Sequence, residues 1–342
     1  MNNIGAVMKR LARRCRVAAA SIIRPTFNLV ATERANARFG QFADQRKITI
    51  QRRPIFTKND VFFAMGSCFA EEIRKALTGK RIECVPHYKD VAFAENDVSA
   101  PELKNDHLSY YNTFSVRLQL EQALGLWRQD AGDYWLTKRS AEYRVPWEGG
   151  VYQDPYKRVI RAADPENLTA VIDAINAETA RGFQTATAFL FTFGMTEVFI
   201  NRKSGKVVCQ KPSYGGGGGA DETELHVSSF EENLDNVLAI VDLIRARKPD
   251  APIVMSVSPV PLARTFQNTD VMTASIEGKS ILRAVLGRAA RERENVFYLP
   301  SYELVGALGF FEGYRKDLRH VERTTVSQIT DAFFDAFFVE AA

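Results

Sequence analysis

Four short apolar runs recur along the chain, and segments with helical spacing lie between them. The runs lie at residues 61–65, 187–193, 252–257 and 296–299, and each is followed by Gly, Ser or Pro. Short apolar runs with such ends are typical of strands that are buried on both faces of a parallel sheet. Strands that alternate with helices predict an α/β fold with a parallel central sheet wrapped by helices.

Helices are predicted from amphipathic spacing and from capping residues at their N-termini. They lie at residues 69–79, 112–127, 165–179, 229–247 and 275–294. Residues 198–209 predict a β-hairpin that turns at residues 203–206. Residues 128–163 are rich in aromatic side chains, and we interpret them as a short β excursion or a lid.

Composition separates the first fifty residues from the rest of the 342-residue chain. The chain as a whole has a formal net charge of +4, whereas residues 1–50 carry ten Lys or Arg and two acidic residues. We therefore expect a basic N-terminal arm over residues 1–50, partly disordered, and a single domain over residues 51–342 with an insertion at about 128–163. The arm is either a solvated tail or a contact to an anionic membrane surface, where each basic group gains roughly 1 kcal/mol.

Other partners and compartments are constrained by what the sequence lacks. No recognisable nucleic-acid-binding module follows the basic arm, so we predict no nucleic acid as a partner. No apolar run approaches the roughly 20 residues of a membrane-spanning helix. The four cysteines lie far apart without a CxxC pair. We expect a soluble cytoplasmic protein whose only membrane contact, if it has one, is peripheral and made by the arm.

Reactive groups in parallel sheets gather beyond the carboxyl ends of the strands. Ser67 stands at the first predicted strand-to-helix turn, where a helix N-terminus can stabilise a developing negative charge. A serine needs a base, and His320 lies three residues after Asp317, whose carboxylate can orient the imidazole. We predict Ser67 as nucleophile, His320 as base and Asp317 as its orienting partner. The other histidines are interpreted as structural: His87, His107 and His226.

The residues around Ser67 also resemble a known family. Residues 66–70 read Gly-Ser-Cys-Phe-Ala after an apolar strand, which is the motif that names the GSCFA family, and this family resembles the SGNH or GDSL hydrolases. Four further blocks resemble the family in order, at residues 111–114, 193–198, 257–260 and 299–303. The resemblance spans about residues 56–320. It implies a flavodoxin-like α/β/α sandwich with Ser67, Asp317 and His320 as the catalytic triad.

The same resemblance implies an oxyanion hole in which a glycine and an asparagine join the serine N–H. This chain has Gly194 and Thr196 where Gly-x-Asn-Asp would be expected. The Thr196 hydroxyl can replace the missing amide, or Asn112 can supply it, and we expect Gly66, Asn112, Gly194 and Thr196 around the substrate. Losing one such donor costs about 10² to 10³ in rate, so the departure weakens the expected hydrolysis and not the fold. We interpret Glu197 as a hydrogen-bond partner behind these groups.

The leading hypothesis is an esterase or O-acyltransferase that forms an acyl-enzyme on Ser67 and needs no cofactor. Its substrate is an acyl ester, and the acceptor of the acyl group is water or a carbohydrate hydroxyl. Aromatic residues from Trp127 to Tyr156 can stack on a carbohydrate, although packing alone explains them about as well.

Three alternatives stay open. The first is an inactive module that keeps the fold and binds a glycan or a partner in the old cleft. The second is a metal-dependent hydrolase with Glu197, Asp317 and His320 as ligands, but the chain lacks local pairing such as His-Glu-x-x-His, so we predict no metal. The third is Cys68 as nucleophile, with a thiol pKa lowered by the helix N-terminus. A sharp turn would point Cys68 away from the centre that Ser67 faces.

Overall fold

The computed structural model describes residues 48, 50–137, 145–209, 219 and 221–339. Apart from Ile48, all of these belong to one compact unit, Ile50–Ala342. The predicted basic arm lies outside the described residues except for Ile48 and Ile50, and so its disorder and its membrane contact stay predictions. Within the described ranges, no helix is long and apolar enough to cross a membrane.

The described residues form twelve strands and seven α-helices, numbered here in chain order. The strands are β1 (Val61–Gly66), β2 (Glu83–Val85), β3 (Val98–Ser99), β4 (Trp135–Thr137), β5 (Val151–Gln153), β6 (Arg161–Ala162), β7 (Ala188–Phe193), β8 (Glu197–Asn201), β9 (Val207–Val208), β10 (Thr223–Val227), β11 (Ile253–Val257) and β12 (Val296–Tyr298). The helices are α1 (Cys68–Gly79), α2 (Thr113–Ala123), α3 (Pro165–Thr185), α4 (Phe230–Arg245), α5 (Val271–Glu292), α6 (Ser301–Gly313) and α7 (Arg323–Phe337).

The central sheet has five strands in the order β2-β1-β7-β11-β12, and every neighbouring pair is parallel. Counted along the chain within this sheet, that order is 2-1-3-4-5, which defines the flavodoxin-like arrangement. Four of the five strands coincide within one residue with the four apolar runs. The predicted flavodoxin-like fold with a parallel central sheet is confirmed.

Helices cover both faces of the sheet. Side chains alternate between the two faces along each strand, so a strand with a continuous apolar run must be covered on both sides. On β1, Phe63 packs against Phe183 of α3, with ring centroids 6.0 Å apart. Its neighbour Phe62 points the other way and packs against Phe333 of α7 at 6.2 Å. On the first face the helices pack side by side in the order α3-α2-α4-α5, and α1 and α6 contact α7 on the second.

Local capping explains where several helices begin and end. Ser229 and Glu232 form a capping box at the start of α4. Helix α5 begins four residues earlier than predicted, because the Asp270 carboxylate accepts the N–H of Met272. Helix α2 ends at Ala123, not at residue 127, since Gly125 adopts a left-handed φ of +71° that terminates the helix.

The aromatic-rich segment 128–163 contributes β4, β5 and β6 to a four-stranded antiparallel sheet in the order β3-β6-β5-β4. Trp135 and Tyr156 are buried in a small separate core with Leu118 and Val208. Because packing covers them, these two rings are not available to stack on a carbohydrate. The sheet is the β excursion, and residues 138–144 lie outside the described residues.

A second small sheet continues directly from the carboxyl end of β7. Strands β8 and β9 form the predicted hairpin, and β10 pairs with β8 to give the antiparallel order β10-β8-β9. This sheet carries Val198, Phe199 and Val208 to the carboxyl edge of the central sheet, where they line the cavity described next.

Candidate active site

A cavity of about 480 Å³ lies at the carboxyl ends of β1, β7 and β11. Its volume is in the range of small-molecule sites, and its place is the one expected for an open parallel sheet. Four of the predicted site residues line it: Ser67, Asn112, Gly194 and His320. Asp317 lies behind His320, and Gly66 and Thr196 are not part of the lining.

Ser67 is the N-cap of α1 and is almost fully buried, at 1% exposure. Its Oγ accepts the N–H of Phe69 at 3.2 Å and lies 2.8 Å from Oγ1 of Thr192. Its own N–H donates to Oγ1 of Thr192 at 3.0 Å and approaches the Thr192 carbonyl oxygen at 3.1 Å. The neighbouring strand β7 therefore holds both the backbone and the hydroxyl of the predicted nucleophile.

Gly66 makes this close approach of β1 and β7 possible. Its φ is +145°, and a Cβ on it would lie 2.3 Å from the Thr192 carbonyl oxygen. Only glycine tolerates both the conformation and the contact. Gly66 thus positions Ser67 through the backbone and does not itself line the cavity.

Asp317 and His320 form a compact unit on the turn between α6 and α7. Oδ2 of Asp317 lies 2.5 Å from Nδ1 of His320, and Oδ1 accepts the N–H groups of Arg319 and His320, both at 3.0 Å. The hydrogen bond from the His320 side chain, followed by those two backbone bonds, holds the pKa of Asp317 well below its usual range. An ionised Asp317 assigns the proton of the neutral imidazole to Nδ1, which leaves Nε2 as the basic nitrogen.

Ser67 and His320 line the same cavity, but no hydrogen bond joins them within the described ranges. The Ser67 hydroxyl is bonded to Thr192, whereas the His320 side chain is 53% exposed on its turn. Proton transfer between them thus requires the Ser67 hydroxyl to turn away from Thr192, or His320 to swing inward.

Asn112 presents an amide donor at the cavity. It is the N-cap of α2, and its Oδ1 accepts the N–H of Ser115 at 2.8 Å. Because the oxygen is occupied by the cap, Nδ2 is left as a donor, and it has no hydrogen-bond partner in the part of the chain that the structure describes. The N–H of Cys68, at the first position of α1, likewise has no acceptor there. These two donors are the candidates for an oxyanion hole.

The other two oxyanion candidates are placed differently. The Gly194 N–H donates to the Tyr111 carbonyl oxygen at 2.7 Å and is therefore engaged. The Thr196 side chain packs on α5, where a Cβ on Gly278 would lie 2.6 Å from its Oγ1. Of the two side chains that the sequence left open as amide replacements, Asn112 lines the cavity and Thr196 does not.

Glu197 holds the opposite wall of the cavity. Its Oε1 accepts from Oγ1 of Thr265 at 2.6 Å and from Nε2 of Gln267 at 3.0 Å, and its Oε2 accepts the N–H of Phe266 at 2.9 Å. These three donors belong to the loop 258–270 between β11 and α5. That loop supplies much of the apolar lining: Val260, Pro261, Leu262, Ala263 and Phe266. Glu197 is thus a hydrogen-bond partner of this loop and not of Ser67, Asp317 or His320.

Three cations act on the region around Cys68. Burial raises the pKa of the Cys68 thiol, and the charges of Lys279, Arg319 and Arg158 offset this only in part. A protonated thiol is a poor nucleophile, so the burial of Cys68 counts against it in that role. Lys279 of α5 is itself buried, and its Nζ donates to the Gly194 carbonyl oxygen at 2.8 Å. Burial lowers the pKa of Lys279 to about 7.

The remaining histidines make other contacts. His87 bonds to Glu83 at 2.6 Å and His226 to Glu232 at 2.8 Å, both away from the cavity lining. His107 is buried, and burial lowers its pKa to about 3, which keeps the ring neutral. In the described part of the chain, no group of three or more His, Cys, Asp or Glu side chains is placed to hold a metal ion.

Fold and site together define an α/β/α sandwich with a serine capping the helix after the first strand and an Asp-His pair beyond the last strand. The model of the GSCFA family matches residues 61–333. The chain belongs to the GSCFA family, as its motifs indicated. No curated protein matches the chain.

Among solved structures, the chain is similar to the salicylyl-acyltransferase SsfX3 from a tetracycline biosynthetic pathway. The two chains are 18% identical over the matched part, with a TM-score of 0.27. The match covers 46% of this chain and 40% of that one, which is less than half of either.

Proposed function

We propose that the chain is a serine-dependent esterase or O-acyltransferase in which Ser67 carries the acyl group. The observation that carries this proposal is the shared cavity, which Ser67, Asn112 and an Asp317-bound His320 all reach. Membership of the GSCFA family supports the same class of chemistry.

In the first half-reaction, Oγ of Ser67 attacks the ester carbonyl carbon while its proton moves to Nε2 of His320. Asp317 stabilises the imidazolium that forms. The carbonyl oxygen becomes an oxyanion, which the Nδ2 amide of Asn112 and the N–H of Cys68 stabilise together with the N-terminus of α1. When the tetrahedral intermediate collapses, the alcohol leaves with the proton from His320, and the acyl group stays on Ser67.

In the second half-reaction, His320 takes the proton of an incoming hydroxyl, which attacks the acyl-enzyme and releases Ser67. Water gives hydrolysis, and a sugar or other alcohol gives transfer. Both reactions use the same groups, so the occupant of the cavity at the acyl-enzyme stage decides the outcome. The apolar wall of the loop 258–270 suits the hydrocarbon part of an acyl group or acceptor.

The test is turnover of a panel of p-nitrophenyl esters with acyl chains of increasing length, combined with intact-mass detection of the acylated enzyme. We expect turnover and an adduct in the wild type, neither in Ser67→Ala, and neither in His320→Ala. His226→Ala is the matched control, because His226 also pairs with a carboxylate but lies outside the cavity lining. An adduct that persists in Ser67→Ala would contradict the proposal.

A second candidate is a binding module without catalysis. The observation that favours it is the Ser67 hydroxyl, which is hydrogen-bonded to Thr192 and not to His320. Binding of a glycan or partner protein in this cavity, with no turnover and no adduct across the whole ester panel, would decide for the binding module.

A further inference from the structure

Arg319 is a charged side chain in the cavity that the proposed mechanism does not use. It lies between Asp317 and His320 in the chain and lines the same cavity as Ser67. The side chain is partly buried, and its Nε atom is buried and has no hydrogen-bond partner among the described residues. A buried charged donor without a partner is unfavourable, so a native structure that keeps one needs a reason for it.

The charges around Arg319 do not balance within the described lining. Arg158 and Arg264 also line the cavity, but Arg158 forms an ion pair with Glu102 at 2.8 Å, and Arg264 is exposed on the loop 258–270. Lys279 lies close enough for the positive charge of Arg319 to lower its pKa further. The acidic member of the described lining is Glu197, and its two oxygens are already bonded to the loop 258–270. The cavity therefore presents net positive charge next to the predicted nucleophile.

We propose that the substrate carries an anionic group, a carboxylate or a phosphate, and that Arg319 binds it. A guanidinium offers several N–H donors in one plane and binds such oxygens in a bidentate manner. Because Arg319 directly precedes His320, the anion lies close to the ester that is cleaved. The identity of the reacting ester rests on the proposed function, whereas binding of the anion needs no turnover.

The first test is equilibrium binding of two isosteric amides that cannot be hydrolysed as esters, 3-acetamidobenzoate and 3-acetamidobenzamide, by titration calorimetry. We expect the wild type to bind the carboxylate at least about tenfold more tightly than the neutral amide, a preference that weakens with added salt. Arg319→Gln should remove the preference, and Arg319→Lys should restore part of it. Arg315→Gln, an exposed arginine of the same turn, should leave it intact.

Equal affinity of the wild type for the two ligands, or a carboxylate preference that survives Arg319→Gln, would overturn the inference. Thermal melts of the variants check that each is folded. 3-Acetamidophenyl phosphate as a third ligand distinguishes the sources of charge, since tighter binding than 3-acetamidobenzoate would assign a phosphate-bearing substrate.

The second test uses the matching esters, 3-acetoxybenzoate and 3-acetoxybenzamide, as substrates. We expect kcat/KM to favour the charged ester by at least about tenfold in the wild type, mainly through KM, and the two to become similar in Arg319→Gln. Turnover of both esters at equal rates supports the esterase and contradicts the anion site. Selective binding of 3-acetamidobenzoate without turnover of either ester supports the anion site and contradicts the esterase.

Discussion

The two halves of the candidate site are built in opposite ways. Ser67 is 1% exposed and is held by a strand neighbour 125 residues away in sequence, Thr192. Asp317 and His320 have side chains that are 49% and 53% exposed, and the bonds between them are made within four residues. The central sheet thus positions the proposed nucleophile, whereas a local turn positions the proposed base. Changes to the first half should cost stability as well as activity, and changes to the second half activity alone.

Removal of Ser67 or His320 gives the largest expected effect and tests this contrast directly. Both Ser67→Ala and His320→Ala should lower kcat for a p-nitrophenyl ester by about 10⁴ or more, because each removes an essential partner in proton transfer. In urea unfolding, Ser67→Ala should lose about 1 kcal/mol as a helix cap. His320→Ala should stay within about 0.5 kcal/mol of the wild type, as exposed positions usually do. Equal stability losses in the two variants would refute the contrast.

The Asn112 side chain caps α2 and is also a proposed oxyanion donor, and two substitutions separate these roles. Asn112→Ser keeps a capping oxygen for α2 but removes the amide donor, so kcat should fall by about 10² to 10³ while stability changes little. Asn112→Ala should lose the donor and also about 1 kcal/mol of stability. The matched control is Thr196→Val, whose kcat should remain near that of the wild type. A large effect of Thr196→Val with none of Asn112→Ser would reverse the assignment of the donor.

Thr192 should show a smaller effect on rate and a clear effect on stability. Thr192→Val removes the hydroxyl that accepts the Ser67 N–H and holds the Ser67 side chain. Loss of these two buried hydrogen bonds should lower the free energy of unfolding by about 1 to 3 kcal/mol. The rate should fall by about tenfold, since one positioning hydrogen bond is worth about 1 kcal/mol. Thr192→Ser keeps the hydroxyl and should restore most of both quantities. A rate loss as large as that of Ser67→Ala would assign Thr192 a direct role.

The buried Lys279 should make the stability of the protein depend on pH. Its folded-state pKa of about 7 lies below the value of about 10.4 for an unfolded lysine, so between these values the unfolded chain binds a proton that the folded chain has released. Stability should therefore rise with pH through this window, by up to about 1.4 kcal/mol per pH unit from this group. Lys279→Met should lose this contribution. Urea unfolding of both proteins between pH 6.5 and 8.5, a window taken around that pKa, measures the difference. Parallel pH profiles would show that Lys279 stays protonated.

The sequence predicted those parts of the fold that depend on local pattern. Strands β7 and β11 are continuous apolar runs with Gly or Ser after them, and burial on both faces of a parallel sheet produces that pattern. Helix α7 was not predicted, since its closely spaced phenylalanines, Phe333, Phe334, Phe337 and the following Phe338, suit a strand by propensity. Strand β2 was not predicted either, because three residues are too few to show a hydrophobic pattern.

For the candidate site, the sequence indicated the groups but not their contacts. The hydrogen bonds between Thr192 and Ser67 depend on the register of β1 against β7, which no local sequence pattern predicts. Two sequence signals could have pointed to further charged residues of the site. Lys279 falls on the buried face of α5 with Ser275 and Leu282, where a lysine is out of place. Arg319 stands inside the Asp-x-x-His motif itself.

The hydrogen bonds of Glu197 hold the loop 258–270 independently of Ser67, Asn112, Asp317 and His320. Thr265, Phe266 and Gln267 attach the loop 258–270 to one carboxylate, while the groups proposed to perform the chemistry are held by other contacts. A library that randomises residues 260–264 and keeps the hydrogen bonds of Glu197 would change the apolar wall without altering the proposed nucleophile, its base or its oxyanion donors. Under the proposed function, the domain is a starting scaffold for directed evolution of acyl selectivity.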